Sequence, residues 1–524
     1  MKKLFRIYFL PVLMLLTATG CKKSFQDLTQ NTNVPNSVPA SLLFNGILNG
    51  MVDYPDNSKE IYDQYYIYNY DYYGNNRYDF GSGDNYYTAL KNVQAMEAQA
   101  TKAGAATVNP YSAIGKFFRA YFFSKMSLEE GDIPMTQALQ GIANLTPAYD
   151  TQKAVMIQSL AWLESANADL ATLITEGGNT LTGDIYFNGD LSKWRRVVNT
   201  FRIRLLLQLS KKATDLDVPA QFAAIINNPT KYPIMQSADD NLQYTFVAPS
   251  NYYPQTPDNF GQNGSRQNTS ATYIGLLTQL KDPRVFVTAE PARYNVDTLK
   301  QSPTAFTSFI GADPGLDLGV MYNNAGLQRY SFLNRKRYYS TYTGEPSIQI
   351  GYPELMFNIA EGIYRGWATG NAEDYYVKGI QSSFQFYGIP TGTGTFTAYF
   401  YRPGSTGTAN IANYDTYLIN VEWAAYYGQP TVKYGADATG LTKILQQKYL
   451  ALFRHSGLES YFTYRRTLVP NFTTGPGTGN GGRIALRFKY PSSERTSNAD
   501  NYNKALASQY GGNDDINGMM YILK

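Results

Sequence analysis

The chain has 524 residues, with 45 lysines and arginines, 41 aspartates and glutamates, and a formal net charge of +4. Only 16% of the residues are charged, so the chain lacks the concentrated basic surface that nucleic acid requires, and we expect no nucleic-acid partner. The single histidine, His455, and the single cysteine, Cys21, exclude a zinc motif with two histidines and a disulfide within the chain.

The first twenty residues have the layout of a secretory signal. A basic start is followed by an apolar run over residues 8–16 and by small residues up to Gly20. The run is shorter than the roughly 20 residues that cross a bilayer. Because Cys21 follows the small residues directly, we expect cleavage before it and acylation of its thiol and amine, by palmitate for example. The alternative is an ordinary signal whose last residue is Cys21. Loss of residues 1–20 removes three basic residues and lowers the net charge from +4 to +1.

The remaining chain is predicted to be a tether and one domain. Residues 21–40 are mostly polar and contain two prolines, which is typical of a tether. Residues 41–524 are predicted to form a single domain, with irregular segments at about 54–87, 215–345 and 471–482.

Apolar residues three or four positions apart predict helices along most of this domain. The predicted helices cover residues 41–52, 111–128, 151–175, 191–212, 271–281, 352–368, 372–387, 413–427 and 437–456. The short turn between residues 368 and 372 predicts a helical hairpin, which is the unit of stacked helical-repeat scaffolds. Residues 483–490 form a short strand-like run.

Motifs for catalysis are incomplete in this sequence. Gly477, Gly479 and Gly482 match GxGxxG, but no strand precedes them and no helix follows, which predicts a flexible loop. Neighbouring carboxylates such as Glu129 and Glu130 could act on a glycosidic bond, although a solvated helix end is the favoured interpretation.

A metal site is also not expected. Asp514, Asp515 and Asn517 lie beside Gly518 and suggest calcium, but the twelve-residue loop that binds this ion is incomplete. The sequence therefore predicts no metal and no cofactor, with calcium left as an open alternative.

Tyrosine is the unusual feature of the composition. The chain contains 46 tyrosines but only 4 tryptophans, and the densest tyrosine segment covers residues 62–87. A tyrosine ring has an apolar face and a hydroxyl group, so it suits contacts with sugars, with peptides or within the protein. Composition does not distinguish these roles.

Six groups of motifs, in order from Cys21 to Glu494, resemble the SusD/RagB-type lipoproteins of Bacteroidetes, and in particular the SusD-like branch. They are Cys21 followed by Phe25-Gln26-Asp27-Leu28 and Asn33-Val34-Pro35-Asn36; Phe118-Arg119-Ala120-Tyr121 running to Gly131-Asp132-Ile133-Pro134; Pro147-Ala148-Tyr149-Asp150-Thr151-Gln152; Gly183-Asp184 and Gly189-Asp190 with Lys193-Trp194 and Asn199; Tyr352-Pro353-Glu354 with Ala360-Glu361; and Gln447-Lys448-Tyr449, Tyr464-Arg465-Arg466-Thr467, Arg487-Phe488-Lys489-Tyr490-Pro491 and Glu494.

The resemblance implies a mostly α fold: a TPR-like scaffold of helical hairpins with an irregular, loop-rich ligand-binding half and a few short strands. It also implies a non-catalytic lipoprotein on the outer membrane, facing the cell surface, that captures a glycan and passes it to a SusC-like TonB-dependent transporter. A peptide-binding protein of the same transport class is the alternative, and a glycoside-acting enzyme is a further one. Lys22 and Lys23 depart from the acidic residues that often follow the lipidated cysteine in surface-exposed members.

The resemblance further suggests where the ligand binds. The first wall of the predicted site contains rings that could stack on sugars and polar groups that could bind hydroxyls: Tyr72, Tyr73, Asn75, Asn76, Arg77, Tyr78 and Asp79. The opposing wall is predicted to contain Tyr252, Tyr253, Asn259, Tyr338 and Tyr339. The alternative is that these residues pack loops or face the transporter.

Several residues of the family motifs are predicted to serve the scaffold. We expect them to cap helices, pair across them or fill the core; they are Arg119, Asp132, Trp194, Glu354 and Glu361.

Overall fold

The computed structural model describes residues 38–70 and 75–524, so the predicted signal (residues 1–20), Cys21 and most of the tether lie outside the described residues. Helices dominate the first half: α1 Ala40–Gly50, α2 Ser58–Tyr62, α3 Tyr87–Lys102, α4 Pro110–Glu130, α5 Gln152–Glu176, α6 Leu191–Gln208 and α7 Val218–Asn227. The second half adds α8 Phe260–Arg266, α9 Ala271–Gln279, α10 Val285–Thr288, α11 Leu318–Gly326, α12 Arg335–Tyr338, α13 Tyr352–Tyr364, α14 Ala372–Phe386, α15 Trp423–Tyr427, α16 Thr439–Ala451, α17 Glu459–Thr467, α18 Glu494–Ser497 and α19 Ala499–Tyr510. The strands are β1 Tyr66–Tyr68, β2 Leu242–Tyr244, β3 Gln267–Thr269, β4 Ser347–Ile350, β5 Thr393–Tyr401 and β6 Tyr414–Glu422.

Local sequence determines where the long helices begin. Asn109 and Ser112 form a capping box at the start of α4, with Pro110 at the first helical position, where its missing N–H leaves no bond unmade. Thr151 accepts a hydrogen bond from the Ala154 main chain at the start of α5. The mostly α fold class and its helical-hairpin scaffold are confirmed.

Consecutive helices pack against each other and form two main hydrophobic cores. In the first half, α3, α4, α5 and α6 pack in sequence, and Phe117 and Trp194 lie in their shared core. The hairpin of α13 and α14 packs on α16, and Phe384 and Phe453 belong to the second core. The irregular segment at residues 215–345 contributes to both cores, so its loops are closely packed onto the scaffold.

The predicted scaffold roles of the motif residues are confirmed in the first half. Trp194 is fully buried, and its indole N–H donates to Asp184 at 2.8 Å. Asp132 accepts a hydrogen bond from the Gln152 main chain at 2.7 Å, at the first residue of α5. Arg119 forms an ion pair with Glu97 between α4 and α3. The Arg119–Glu97 pair joins two neighbouring helices, and the contacts of Asp132 and Asp184 attach the preceding loops to α5 and α6.

Buried ion pairs extend the same role to α13. Glu354 accepts a hydrogen bond from Arg204 Nε at 2.7 Å. Glu361 accepts one from Arg466 Nη2 at 2.8 Å and also pairs with Arg365. Burying a carboxylate without a partner costs free energy, and here each carboxylate of α13 pairs with an arginine. The pairs with Arg204 and Arg466 link α13 to α6 and α17.

The predicted helix at residues 413–427 is wrong. Residues Tyr414–Glu422 form β6, which pairs with β5 along nine consecutive residues, and only Trp423–Tyr427 are helical. The segment is rich in β-branched and aromatic residues, which favour a pleated strand when a partner strand is present. Pairing with β5 therefore overrides the apolar spacing that suggested a helix.

Two further predictions near the C-terminus are corrected. Residues 483–490 form no regular strand; their main chain bonds to separate segments, such as Leu486 N–H to Ile516 oxygen at 2.8 Å. The glycine loop is packed, because a Cβ on Gly477 would lie 1.9 Å from the Leu316 oxygen and one on Gly475 would lie 2.3 Å from the Gly315 oxygen. Its glycines allow two backbones to approach closely.

No helix among the described residues is both long and apolar enough to cross a membrane.

Candidate functional site

An open cleft of about 820 Å³ lies where β1 ends, beside α11. Binding clefts for small ligands commonly measure roughly 300–1,000 Å³. Its polar and aromatic lining consists of Asn69, Tyr70, Ser265, Arg266, Tyr322, Asn323, Gln328, Phe332 and Arg335.

The pairing of β1 with β3 builds the first wall. The strands are antiparallel, with Tyr68 opposite Gln267, so the residues that follow β1 meet those that precede β3. Asn69 N–H donates to the Arg266 oxygen at 2.9 Å and continues this pairing for one more step. Tyr70 and Arg266 are thereby placed side by side at the cleft.

A small hydrophobic cluster places the second wall. Met321 of α11 is buried with Ile67 of β1 and with Tyr330, so α11 is fixed against the strand. Asp317 caps α11 by accepting from Gly319 N–H at 2.9 Å. Because Met321 points inward, its neighbour Tyr322 lies on the outer side of the helix and is 46% exposed.

Aromatic rings and guanidinium groups meet across the cleft. The ring centroids of Tyr70 and Tyr322 are 5.8 Å apart, with an angle of 59° between their planes. The Arg266 guanidinium lies 4.7 Å from the Tyr70 ring centroid. Arg335 lies 4.4 Å from the Phe332 ring centroid, a cation–π distance. These contacts hold the rings in place, and the half-exposed Tyr322 ring offers a face to a ligand.

The chemistry of this lining suits binding. Ring faces match the apolar C–H faces of sugars, while amides and guanidinium groups bind hydroxyl or carboxylate oxygens. Among the described residues that line the cleft there is no aspartate, glutamate or histidine. The described part of the lining therefore lacks the two carboxyl groups that glycoside hydrolysis ordinarily requires.

The first predicted wall divides by side-chain direction. From Asn75 to Phe80 exposed and buried residues alternate, as expected of extended chain. Asn75, Arg77 and Asp79 are exposed, whereas Asn76 and Tyr78 are 4% and 1% exposed. The binding role predicted for Asn76 and Tyr78 is corrected, because neither side chain has a surface that a ligand could reach.

Asn76 and its neighbours have structural contacts instead. The Asn76 amide accepts from Tyr68 N–H at 2.8 Å and donates to the Tyr68 oxygen at 2.7 Å. These two hydrogen bonds between the Asn76 side chain and the Tyr68 main chain join the residues on either side of the segment that contains Tyr72 and Tyr73. Those two predicted residues lie outside the described residues, between the cleft residue Tyr70 and Asn75.

Arg77 and Asp79 form an exposed ion pair beside the glycine loop. Their charged groups are 2.5 Å apart, and Asp79 also accepts from the Asn480 main chain at 2.8 Å. Neither residue lines the cleft, and Asn75 accepts a hydrogen bond from Arg77 N–H at 3.0 Å. The three exposed residues of the predicted wall therefore form a separate polar surface.

Most residues of the opposing wall predicted from the sequence are buried in the protein. Tyr253, Tyr338 and Tyr339 are each at most 1% exposed, and the Arg454 guanidinium lies 4.6 Å from the Tyr338 ring centroid. Tyr339 accepts a hydrogen bond from Gln255 at 3.0 Å. These tyrosines pack the second core, and their predicted contact with ligand is corrected.

Tyr252 and Asn259 lie elsewhere on the surface. Tyr252 is 45% exposed, with its ring centroid 4.8 Å from that of Tyr342. The Asn259 amide accepts from Thr256 N–H at 2.9 Å and donates to the Pro254 oxygen at 2.6 Å, so its hydrogen bonds stabilise the turn that contains it. Neither residue lines the cleft.

The carboxylates Glu129 and Glu130 are buried, which corrects the prediction of a solvated helix end. They are 1% and 6% exposed at the end of α4. Burial raises the pKa of Glu129 to about 7, and the Asp84 carboxylate acts in the same direction against the opposing charge of Lys59. Neither carboxylate lines the cleft.

The suggested calcium ligands have protein partners. Asp514 accepts from Arg487 at 2.7 Å, and Asp515 accepts from Asn517 N–H at 2.9 Å. Within residues 38–70 and 75–524, no group of three or more acidic, histidine or cysteine side chains is arranged to hold a metal ion. Asp514 and Asp515 therefore have structural contacts.

Comparisons with known proteins agree with this architecture. Residues 31–491 match the SusD-like family model described as "Starch-binding associating with outer membrane". No curated protein sequence matches the chain. A crystal structure of a SusD homologue from Bacteroides fragilis is 30% identical, covers 93% of this chain and 100% of its own, and superposes with a TM-score of 0.79.

Two other solved structures extend the comparison. An outer-membrane protein of Bacteroides vulgatus, whose description connects it with nutrient binding, is 28% identical over 93% of this chain and 100% of its own, with a TM-score of 0.77. A chitin-binding SusD homologue of Flavobacterium johnsoniae is 22% identical over 93% of this chain and 98% of its own, with a TM-score of 0.68, which shows a shared fold. The chain therefore belongs to the SusD-like family, whose members are associated with the outer membrane.

Proposed function

We propose that this protein is a non-catalytic, lipid-anchored receptor that captures a glycan in the cleft between β1 and α11. The proposal is carried by the half-exposed Tyr322 ring opposite Tyr70, flanked by Arg266 and by the exposed amides of Asn323 and Gln328. The lack of a carboxylate among the described lining residues supports binding without turnover. The family description, which names starch, supports a glycan over a peptide.

Delivery to a transporter is the second part of the proposal. Membership of the SusD-like family supports association with a SusC-like TonB-dependent transporter. A stable cover on such a transporter would bury more than roughly 2,000 Å². Co-purification from detergent-solubilised outer membranes tests this part, and recovery of the protein without any transporter would contradict it.

Anchoring through Cys21 is the third part. Labelling of growing cells with an alkyne analogue of palmitate should mark the protein, and Cys21→Ser should abolish the label and release the protein from membranes. Protease treatment of intact cells tests surface display. Complete protection until lysis would place the protein on the inner leaflet.

The chain offers a matched pair of tyrosines for testing the cleft. Tyr322 and Tyr252 are 46% and 45% exposed, but only Tyr322 lines the cleft. Loss of one stacking ring is worth about 0.5–1.5 kcal/mol, so Tyr322→Ala should weaken glycan binding by roughly 2- to 12-fold. Tyr252→Ala should leave the affinity unchanged, and Tyr322→Phe should retain most of it.

The assay is calorimetry on soluble protein that starts at Ser24, against starch and chitin oligosaccharides and peptides, with each mixture checked for breakdown products. A ligand whose affinity falls with Tyr252→Ala and not with Tyr322→Ala would refute the placement. Release of shorter sugars would refute the non-catalytic role. Binding of peptides alone would favour the peptide-binding alternative.

A further inference from the structure

The β5–β6 hairpin is a two-stranded sheet with an open edge. The strands pair antiparallel from Thr393 opposite Glu422 to Tyr401 opposite Tyr414, with no shift in register. Among the described residues, neither strand has a third strand as neighbour. Each strand of such a pair directs half of its main-chain N–H and C=O groups away from its partner.

Two hydrogen bonds at the ends of the hairpin show which residues of β6 direct their main-chain N–H and C=O groups away from β5. Trp423 N–H donates to the Gly392 oxygen at 3.2 Å, and Arg402 N–H donates to the Asn413 oxygen at 2.8 Å. Directly paired residues alternate between bonded and non-bonded pairs, and both observations assign the bonded pairs to odd-numbered residues of β6. The main-chain groups of Leu418 and its even-numbered neighbours therefore point to the outer edge.

This outer edge is unoccupied by the rest of the described chain. No hydrogen bond from described residues outside the hairpin reaches the main chain of residues 416–422. The Leu418 side chain is 68% exposed, and Asn420 is also exposed. Edge strands are usually protected by lysine or proline, and residues 414–422 contain neither.

A cleft of about 600 Å³ runs along this edge. Five consecutive residues, Leu418 to Glu422, form one side of it. Pro283, Phe286 and Phe306 contribute apolar surface to the other side. A strand residue within a packed sheet occupies roughly 150 Å³, so this volume fits about four residues of extended chain.

Within the described chain, the cleft lining contains one carboxylate, Glu422, which accepts a hydrogen bond from Thr393 Oγ1 at 2.7 Å, and one cation, Lys281, to which an acidic side chain could bind. Lys281 is exposed, and within the described residues its ammonium group has no ion pair or hydrogen bond. None of the residues that line this cleft lines the proposed glycan cleft. The two surfaces are therefore separate.

We propose that the outer edge of β6 binds an extended segment of a partner protein as a third strand, with an acidic side chain of that segment directed to Lys281. Main-chain hydrogen bonds supply the affinity in this mode of recognition, and the pockets for alternate side chains supply specificity. A glycan does not match the regular alternation of donors and acceptors along the strand.

The test uses soluble protein from Ser24 and a fluorescein-labelled peptide of alternating valine and threonine with a glutamate at each end, measured by fluorescence anisotropy. Asn420→Pro removes one outward N–H without removing a bond to β5, and it should weaken binding at least 10-fold. Asn420→Thr keeps the main-chain group and should bind normally. Lys281→Met should weaken the peptide several-fold and should have no effect on an uncharged version.

A second arm leaves the protein unchanged, so it does not depend on the folding of the proline variant. Methylation of the peptide nitrogens at every second residue should abolish binding for one of the two alternate sets and spare it for the other. Equal affinity of both methylated peptides, or an unaltered affinity of Asn420→Pro, would overturn the proposal. It would also be overturned if the edge bound only glycans, or if this edge instead joined two copies of the chain in a dimer that Asn420→Pro dissolves.

Discussion

Replacement of His455 by glutamine is expected to remove a pH dependence of stability. His455 is 6% exposed, and its Nδ1 accepts from Ile348 N–H at 3.4 Å, which requires the neutral ring. Burial lowers the pKa of His455 to about 4, and the charges of Arg337 and Arg454 act in the same direction against Glu345.

The sign and size of the effect follow from this shift. The unfolded chain takes up a proton on His455 near pH 6.5, whereas the folded chain takes it up near pH 4. The contribution of His455 to stability is therefore complete above pH 6.5 and is lost as the pH falls towards 4. At 1.36 kcal/mol for each pH unit, the loss amounts to roughly 3 kcal/mol.

The measurement is urea unfolding of wild type and His455→Gln between pH 4 and 8. Glutamine can still accept from Ile348 N–H and does not titrate, so carboxyl groups elsewhere contribute equally to both proteins. The difference in free energy of unfolding should change by roughly 3 kcal/mol between pH 6.5 and 4. Because the chain has one histidine, NMR of histidine-labelled protein with a histidine-free tag follows the same ring directly. A constant difference, or a resonance that titrates near pH 6.5, would refute the reasoning.

Two further replacements test the packing of the scaffold. Glu361→Ala leaves the buried Arg466 guanidinium without its main partner and should lower the free energy of unfolding in urea by about 3–5 kcal/mol. The double variant Glu361→Leu/Arg466→Met removes both charges, so a smaller loss in the single variant than in the double variant would contradict the ion-pair argument. Gly477→Ala places a Cβ 1.9 Å from the Leu316 oxygen and should lower the free energy of unfolding, measured by thermal denaturation, by about 1–3 kcal/mol. The control Gly275→Ala, whose Cβ would meet no atom within 4 Å, should not destabilise the protein. Equal melting temperatures of the two variants would show that the glycine loop accommodates the added methyl group without strain.

Much of the helical scaffold could be predicted because its signals are local. The apolar spacing of residues 151–175 and the turn at Gly131 mark helices and their ends without reference to the rest of the chain. The family motifs also predict a scaffold role for Trp194 and Glu354. Their individual partners, Asp184 and Arg204, were not predictable from spacing.

The sequence by itself determined the helical class, the presence of a tyrosine-rich segment and the family that the chain resembles. Only the tertiary structure decided which tyrosines are accessible, because the same side chain packs a core at Tyr338 and faces a cleft at Tyr322. It also decided that residues 414–422 form a strand and not a helix, because a strand depends on a partner strand that the local spacing of apolar residues does not reveal. Tyr70 and Arg266 meet because β1 pairs with β3, a contact between segments far apart in the chain.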